Sequence, residues 1–495
     1  KSTVFIKSFT LTVGFIHQML ARIARTKPLC RHDTFLYSFL QSSQFSSSAQ
    51  GEKKLNLFVS CLPGLESVLS SELSLLGIRH SPVPGGADLR QTSVETIVKC
   101  NLFCGSASHV LLRCGRAFYA PNFFEFSRKV ELLPWNQYIH ADTDVQVRAT
   151  CSKSKIFHTK AIEERLIDSI DKALNRSNSQ PLSGPTVQMK VRLHGDVAQI
   201  SIDSYLTPLH ERGYRFETSK APLREDIAYS MLYAAHVTKF MGLLDPMCGA
   251  GTIAIEGAAM KVGLPPGRLR GPPMKGTQLF RPDIWDEHLQ KALESSEELA
   301  NSFMSKSLIM AGDRDEGAVE ASKGNAERAG VDQFIDFSAK SISDHMWFND
   351  EAPESVLLAT NPPFGKRIAA SRSKSADRFS QLLPLYQTLG KKIKGMKSQV
   401  ASVVLTNNVD LPRKMGLKDT KALFSTLHGG LPVIAMGSNL IDPIVSGKLK
   451  FEVIKRIESL TPTAKDTKSD SIATEKVKIG KISMKRKEGL QNESK

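Results

Sequence analysis

The sequence predicts an α/β protein: a Rossmann-like parallel sheet with crossover helices in the second half of the chain, preceded by smaller α/β units. Three observations carry that prediction. After Tyr214, short apolar strands alternate with longer helices, the pattern of a parallel sheet wrapped by its crossovers. Leu243-Leu244 run into Asp245-Pro246-Met247-Cys248-Gly249-Ala250-Gly251-Thr252, and a helix follows over Ile253 to Lys261. Before Tyr214, strands and helices follow one another at close spacing. The chain has 495 residues, 41% apolar and 23% charged, enough for several domains. That composition excludes wholesale disorder, a collagen-like fibre and a polytopic membrane protein.

Taken in order, the first residues are the least globular. Residues 1 to 18 are too short and too interrupted by Lys7 and His17 to span a bilayer. Met19 reads as the true start. Residues 19 to 50 carry Arg22, Arg25, Lys27 and Arg31 against Asp33 and end in a serine-rich run, the composition of an organellar transit peptide. The arginines favour the mitochondrion over the chloroplast. Leu55 to Ser60 reads as a strand and Leu65, Val68, Leu69, Leu73 and Leu76 as one helical face ending before Gly77. Val145 to Thr150 alternates like a strand, Thr159 to Ala173 is helical, and Val187 to Leu193 with Val197 to Ile202 form a hairpin about His194-Gly195-Asp196. This order can present Lys153, Lys155, Lys160 and Arg192 together, a patch suited to phosphate contacts, although solvated lysines are commoner.

Charge points the same way. Of the net +16, residues 1 to 50 hold +5, Thr461 to Lys495 hold +4 and the remainder hold +7, which favours a polyanionic partner without requiring one. The residues beyond Leu460 are predicted to be a disordered basic tail. Seven cysteines without a Cys-x-x-Cys pair indicate free thiols in a reducing compartment and no structural zinc; Cys100 and Cys104 read as core residues. No metal is expected.

The chemistry is concentrated in two places. The glycine turn is a cofactor cradle, because glycine lets the backbone approach a ligand closely. It also fits the dinucleotide fingerprint Gly249-x-Gly251-x-x-Ala254, but the acidic strand end expected about 20 residues on is missing. Asp313, after Leu308 to Gly312, lies much further away, and residues 263 to 305 read as an insertion. A nicotinamide enzyme is therefore disfavoured. The second place is Val356 to Gly365, an apolar strand ending in Asn361-Pro362-Pro363-Phe364. The Asn361 side-chain oxygen and the Pro362 carbonyl can accept the hydrogens of a planar exocyclic amine, and Phe364 can stack on an extruded base. A proline-stiffened turn with a buried Phe is the plain alternative.

With these motifs in this order, the chain from about Leu55 to Leu440 resembles the THUMP-domain RNA methyltransferases, in particular the branch that methylates guanine N2 in bacterial large-subunit ribosomal RNA. Leu209 to Arg215, Ala221 to Glu225, Asp245 to Thr252 and Thr360 to Arg367 carry the resemblance. It implies a ferredoxin-like module over 51–135, a THUMP RNA-binding domain over 136–210 and a class I S-adenosylmethionine-dependent methyltransferase over 211–455, between the transit segment expected over 1–50 and the tail expected over 456–495. It implies that Asp245, Pro246, Gly249, Gly251 and Thr252 hold the methionine end of S-adenosylmethionine and that Asp313 binds the ribose. Ser341 stands near the adenine, where the family often has aspartate. Asn361, Pro362, Pro363 and Phe364 would hold the base, and Arg148, Lys153, Lys155, Lys160, Arg192, Arg212 and Arg215 would contact RNA. The second methyltransferase fused to some bacterial members is not seen, so one methylation is expected. Adenine N6, transfer RNA and a non-catalytic ribosome-assembly role are the alternatives; oligomeric state is left open.

Overall fold

The computed structural model describes residues 54–176, 182–216, 222–303, 309–344, 348, 352–363 and 375–446. The expected leader, the basic tail and Phe364 lie outside the described residues. The first half contains β1 (Leu55–Cys61), α1 (Glu66–Leu75), β2 (Ser81–Val83), β3 (Gly86–Thr92), α2 (Val94–Phe103), β4 (Ala107–Arg113), β5 (Phe118–Tyr119), α3 (Phe123–Glu131), β6 (Asp144–Ser152), α4 (Thr159–Ala173), β7 (Thr186–His194) and β8 (Val197–Asp203). These strands form one continuous sheet in the order β2-β3-β1-β4-β8-β7-β6, with β5 on β8. The junction is the antiparallel pairing of β4 with β8, Leu111 opposite Asp203. The hairpin of β7 and β8 forms as its alternation predicts, and β6 pairs in parallel with β7 across the α4 crossover. Helix α3 packs with α4, the Arg165 guanidinium lying 4.2 Å from the Phe123 ring centre.

The second half contains α5 (Glu225–Ala234), β9 (Gly242–Asp245), α6 (Thr252–Lys261), α7 (Pro282–Phe303), β10 (Ile309–Asp313), α8 (Glu316–Ala329), β11 (Ile335–Ala339), β12 (Ser355–Thr360), α9 (Ser375–Gly395), β13 (Gln399–Thr406), α10 (Asp410–Arg413), β14 (Lys421–His428) and β15 (Leu431–Ser438). Their sheet runs β11-β10-β9-β12-β13-β15-β14. Strands β9 to β13 are mutually parallel, while β15 is antiparallel to both its neighbours. Both faces are buried, which explains strands that read as unbroken apolar runs. Leu243, Ile309, Leu357 and Val403 face one core; Leu244, Met310, Leu358 and Val404 face the other, against Leu382, Tyr386 and Leu389 of α9.

The two halves share the first of these cores, which extends from Leu55 to Ala435. Arg212, expected to reach RNA, is instead 2% exposed and lies at the junction. Its guanidinium donates to Leu209 O at 2.7 Å and to Gly105 O at 2.5 Å, and its Nε stands 3.6 Å from Glu256 on α6. Tyr214 donates to the same carboxylate at 2.9 Å. Arg215 is also turned inward, donating to Leu223 O and Thr252 Oγ1 and pairing with Glu225. Both corrections have one cause. A buried helix residue such as Glu256 needs a cation, and the motif supplies it from the incoming chain.

The insertion after α6 is a strap across the junction. Arg270 donates to Leu209 O at 2.5 Å and Asn101 O at 2.8 Å, Arg268 donates to Ala329 O at 2.6 Å, and Thr143 donates to Gly276 O at 2.8 Å. Trp285, 1% exposed, packs with Val98 and Leu102 of α2. A Cβ on Gly267 would stand 2.4 Å from Asn101 O, so only glycine admits this approach.

Replacing Arg212 by Met leaves the Glu256 carboxylate buried without its cation, a loss of about 3 to 5 kcal/mol for a broken buried pair. Urea unfolding is expected to show that loss, and the Arg212→Met/Glu256→Gln double variant is expected to recover part of it. A single variant as stable as the parent would contradict the assignment.

Candidate active site

The order of the second sheet reverses between β9 and β12, and in an open parallel sheet such a reversal leaves a crevice beyond the carboxyl ends of the strands. A cavity of about 1170 Å³ lies there. It is lined by Asp245, Pro246, Gly249 and Thr252 after β9, Asp313 at the end of β10, Ser341 after β11, and Asn361, Pro362 and Pro363 after β12. Residues far apart in sequence thus meet because each parallel strand delivers its carboxyl end to one edge. Gly251 stands behind the lining as the residue preceding α6, with φ of 80°, and a Cβ there would lie 3.0 Å from Ser322 Cβ.

The glycine turn is held from several sides. Cys248 N–H donates to Gly312 O at 2.8 Å and Gly249 N–H donates to Asp313 Oδ2 at 3.0 Å, tying the turn to β10. From α8, the Ser322 hydroxyl donates to Gly249 O at 2.7 Å and the Asn325 amide donates to Ala250 O at 3.1 Å. Ser322 and Asn325 are fully buried and were missed in the sequence. Their signal is a pair of polar residues three apart on the apolar stripe of Val319, Ala326 and Ala329. Thr252 lines the cavity, but its hydroxyl is engaged by Arg215, at 2.9 Å.

Asp245 is 1% exposed, and burial pushes its carboxyl up to about 7; the nearby Thr360 hydroxyl and the hydrogen bond from Met247 N–H oppose this, and the Asp313 charge adds to it. A buried carboxyl with so little local compensation is suited to a cationic ligand group. Ser341 is exposed and donates to Asp344 Oδ2 at 2.7 Å, so an acid three residues on stands beside the expected adenine position. Asn361 is half-buried, and its Oδ1 is shut off from solvent with no hydrogen-bond partner among the described residues. Such an acceptor is available to a ligand's donor. His428 at the end of β14 and Gly429 in the turn after it also line the cavity and had no signal in the sequence. Because β14 runs parallel to β13, its carboxyl end reaches the same edge of the sheet.

Of the expected RNA contacts, Arg148, Lys153, Lys155, Lys160 and Arg192 are exposed on the first half, away from the cavity lining, whereas Arg212 and Arg215 are structural. His210 is half-buried and its Nδ1 accepts from the Arg224 guanidinium at 3.2 Å; burial lowers its imidazole to about 4, which suits a structural role. Among the described residues no cluster of His, Cys, Asp and Glu could hold a metal, and no helix is long and apolar enough to cross a membrane.

This sheet order, with a glycine turn after its first strand and acids at the first two strand ends, defines a class I S-adenosylmethionine-dependent methyltransferase domain. Residues 212–428 match the methyltransferase domain described as RMKL-like, residues 56–111 the RlmL ferredoxin-like domain and residues 120–203 the THUMP domain. The chain thus carries a THUMP domain together with an RMKL-like methyltransferase domain. It is 30% identical over 389 residues to the ribosomal RNA large subunit methyltransferase K/L of Syntrophotalea carbinolica, covering 76% of this chain and 52% of that protein. It thus spans about half the length of such K/L relatives. A Synechocystis protein named as an RNA methyltransferase, slr0064, is 26% identical over 76% of this chain and 94% of its own length. Among solved structures, a "possible methylase" of Clostridium difficile 630 aligns with a TM-score of 0.68 at 26% identity, over 79% of this chain and 99% of that one. SMU.472, a methyltransferase by its description and complexed with SAH, gives 0.66 at 26% identity over 78% and 98%.

The residues present fit that cofactor: a tight glycine turn, a buried carboxyl for a cationic end, and acids at successive strand ends. Asp245 holds its proton below about pH 7, and a cation seated on its carboxylate must displace that proton. The affinity for S-adenosylmethionine is therefore expected to rise about tenfold per pH unit up to about 7 and then level off. Calorimetric titration across this range checks the slope, and Asp245→Asn is expected to bind weakly and without it.

Proposed function

We propose that this protein methylates the exocyclic N2 of a guanine in large-subunit ribosomal RNA, using S-adenosylmethionine. The observation that carries the reading is the buried Asn361 Oδ1, unpartnered among the described residues, at the lip of the cavity. An exocyclic amine has its lone pair delocalised into the base; two acceptors on its hydrogens favour the pyramidal nitrogen that can attack. Asn361 Oδ1 and the Pro362 carbonyl are assigned that pair, with Phe364 as the stacking partner of the base. Pro362 and Pro363 fix the turn that presents them.

When bound, S-adenosylmethionine supplies an electrophilic methyl group on a sulfonium. The chain's own part is alignment. Asp245 and the Pro246 to Thr252 turn hold the methionine end, Asp313 the ribose hydroxyls, and Ser341 with Asp344 the adenine side. Methyl transfer leaves the amine nitrogen positively charged, and it then gives up its proton to water, the neutral carbonyls of Asn361 and Pro362 serving to orient it.

Ribosomal RNA is favoured over transfer RNA because the K/L relatives are named for it. Adenine N6 is the second reading, since the same acceptors serve any planar amine and a similar Listeria monocytogenes structure is described as an N6-adenine-specific DNA methylase. The cationic, serine-rich residues 19–50 support delivery to an organelle, the mitochondrion before the chloroplast.

Methyl transfer from labelled S-adenosylmethionine to unmodified ribosomal and transfer RNA, with the product nucleoside identified by mass spectrometry, tests the proposal. N2-methylguanosine in ribosomal RNA is expected. Asn361→Ala is expected to lose about a hundredfold or more in kcat with cofactor binding retained. N6-methyladenosine would overturn the base assignment, and cofactor binding without transfer to any RNA would favour the assembly-factor role.

A further inference from the structure

Phe157 is 63% exposed, although the residue before it, Ile156, is 7% exposed in the core. Its ring lies against that of His158, with centres 4.3 Å apart and planes inclined by 36°. His158 precedes α4 without capping it, so its ring is not engaged by the helix terminus. The loop carrying both rings is fixed. Ser154 Oγ donates to Ser152 O at 3.0 Å, Asp196 N–H donates to Ser154 Oγ at 3.1 Å, and Lys155 N–H donates to Asp196 Oδ1 at 2.6 Å. The aromatic pair is therefore held in water on a rigid ledge, where its ordering cost is already met by the fold.

Cations surround the ledge. Lys153, Lys155 and Lys160 are exposed on the loop and the start of α4. The β6–β7 register sets Arg192 beside Thr150 and His194 beside Ser152, so both exposed side chains emerge on the outer face at the same end of the sheet. The nearby acids Asp196 and Glu163 are turned to the backbone N–H groups of Lys155 and Ala149. A lone ring among cations is a poor surface for an apolar protein partner but matches a base flanked by phosphates.

We propose that Phe157, backed by His158, is a stacking platform for an unpaired nucleobase of the RNA substrate, with Lys153, Lys155, Lys160 and Arg192 on the adjoining phosphates. The proposal rests on the RNA reading above and adds that the first sheet selects single-stranded nucleotides beside the target.

The test measures binding of the full chain to a single-stranded RNA oligonucleotide and to a blunt RNA duplex over a range of salt. Phe157→Ala is expected to weaken single-strand binding about tenfold, leaving duplex binding and the salt slope unchanged. Lys153→Ala/Lys155→Ala is expected to flatten the slope by roughly 0.7 for each phosphate that the protein ceases to neutralise. Phe157→Trp, made together with Trp347→Phe, is expected to keep the affinity and to be quenched on adding RNA; Trp135 and Trp285 are both buried. Phe157→Ala binding like the parent, or losing single strand and duplex equally, overturns the platform while leaving the RNA reading intact. A parent protein that binds neither RNA overturns the RNA reading itself.

Discussion

The guanidinium of Arg212 is the interaction on which the rest of the molecule depends. A fully buried charge is costly, and it persists only where donors are used and a counter-charge is near. Here the partners come from three parts of the chain: the carbonyls of Gly105 in the first half and Leu209 in the connection, and the counter-charge of Glu256 on α6 in the second. Glu256 is itself held by Tyr214. The helix it occupies begins at the glycine turn, so the same cluster that seats the first half on the second also fixes the axis along which the turn meets its ligand. Burial works against the Arg212 charge, while Glu256 and Glu225 favour it, and the balance lies with the charged form.

The strap from residues 263 to 303 reinforces this joint by different means. Its buried Arg268 and Arg270 end on backbone carbonyls rather than on acids, which satisfies buried oxygens without adding further buried anions. Burial lowers both Arg268 and Arg270 to about 10, still well above neutrality, so they remain donors at physiological pH. Trp285 then adds apolar area against α2. An arrangement with charge at the centre and carbonyl bonds and apolar packing around it resists rotation about the single connection between the halves.

Much of this was legible in the sequence wherever one physical rule decides the outcome. The β7–β8 hairpin follows from period-two alternation around a turn, and α4 from its three-and-four spacing; both fall where their patterns put them. The cradle and the strand-end acids were legible because glycines, acids and prolines interrupt otherwise apolar runs. The fates of Arg212 and Arg215 were not, since an arginine in an exposed-looking polar motif and one destined for a buried joint have the same local sequence. Only the partner, Glu256, on a helix otherwise buried along its length, hinted at the difference. Ser322 and Asn325 were hidden for a related reason: their function is to hold a backbone loop more than 70 residues away, and no local pattern records that.

A rigid joint has a consequence for any ligand that spans both halves. With a flexible connection, binding at the first sheet would raise the local concentration of ligand at the cavity only by the volume the linker permits. With Arg212, the strap and a shared core fixing the joint, the separation between the basic face of β6 and β7 and the lip at Asn361 is set by the fold. A ligand of the right length and shape then enters the cavity at little further orientational cost, and one of the wrong length is excluded even if it carries the correct reacting group. Discrimination between substrates therefore need not reside in the cavity. The few residues there can be devoted to holding an amine, while shape and spacing are read far earlier in the chain.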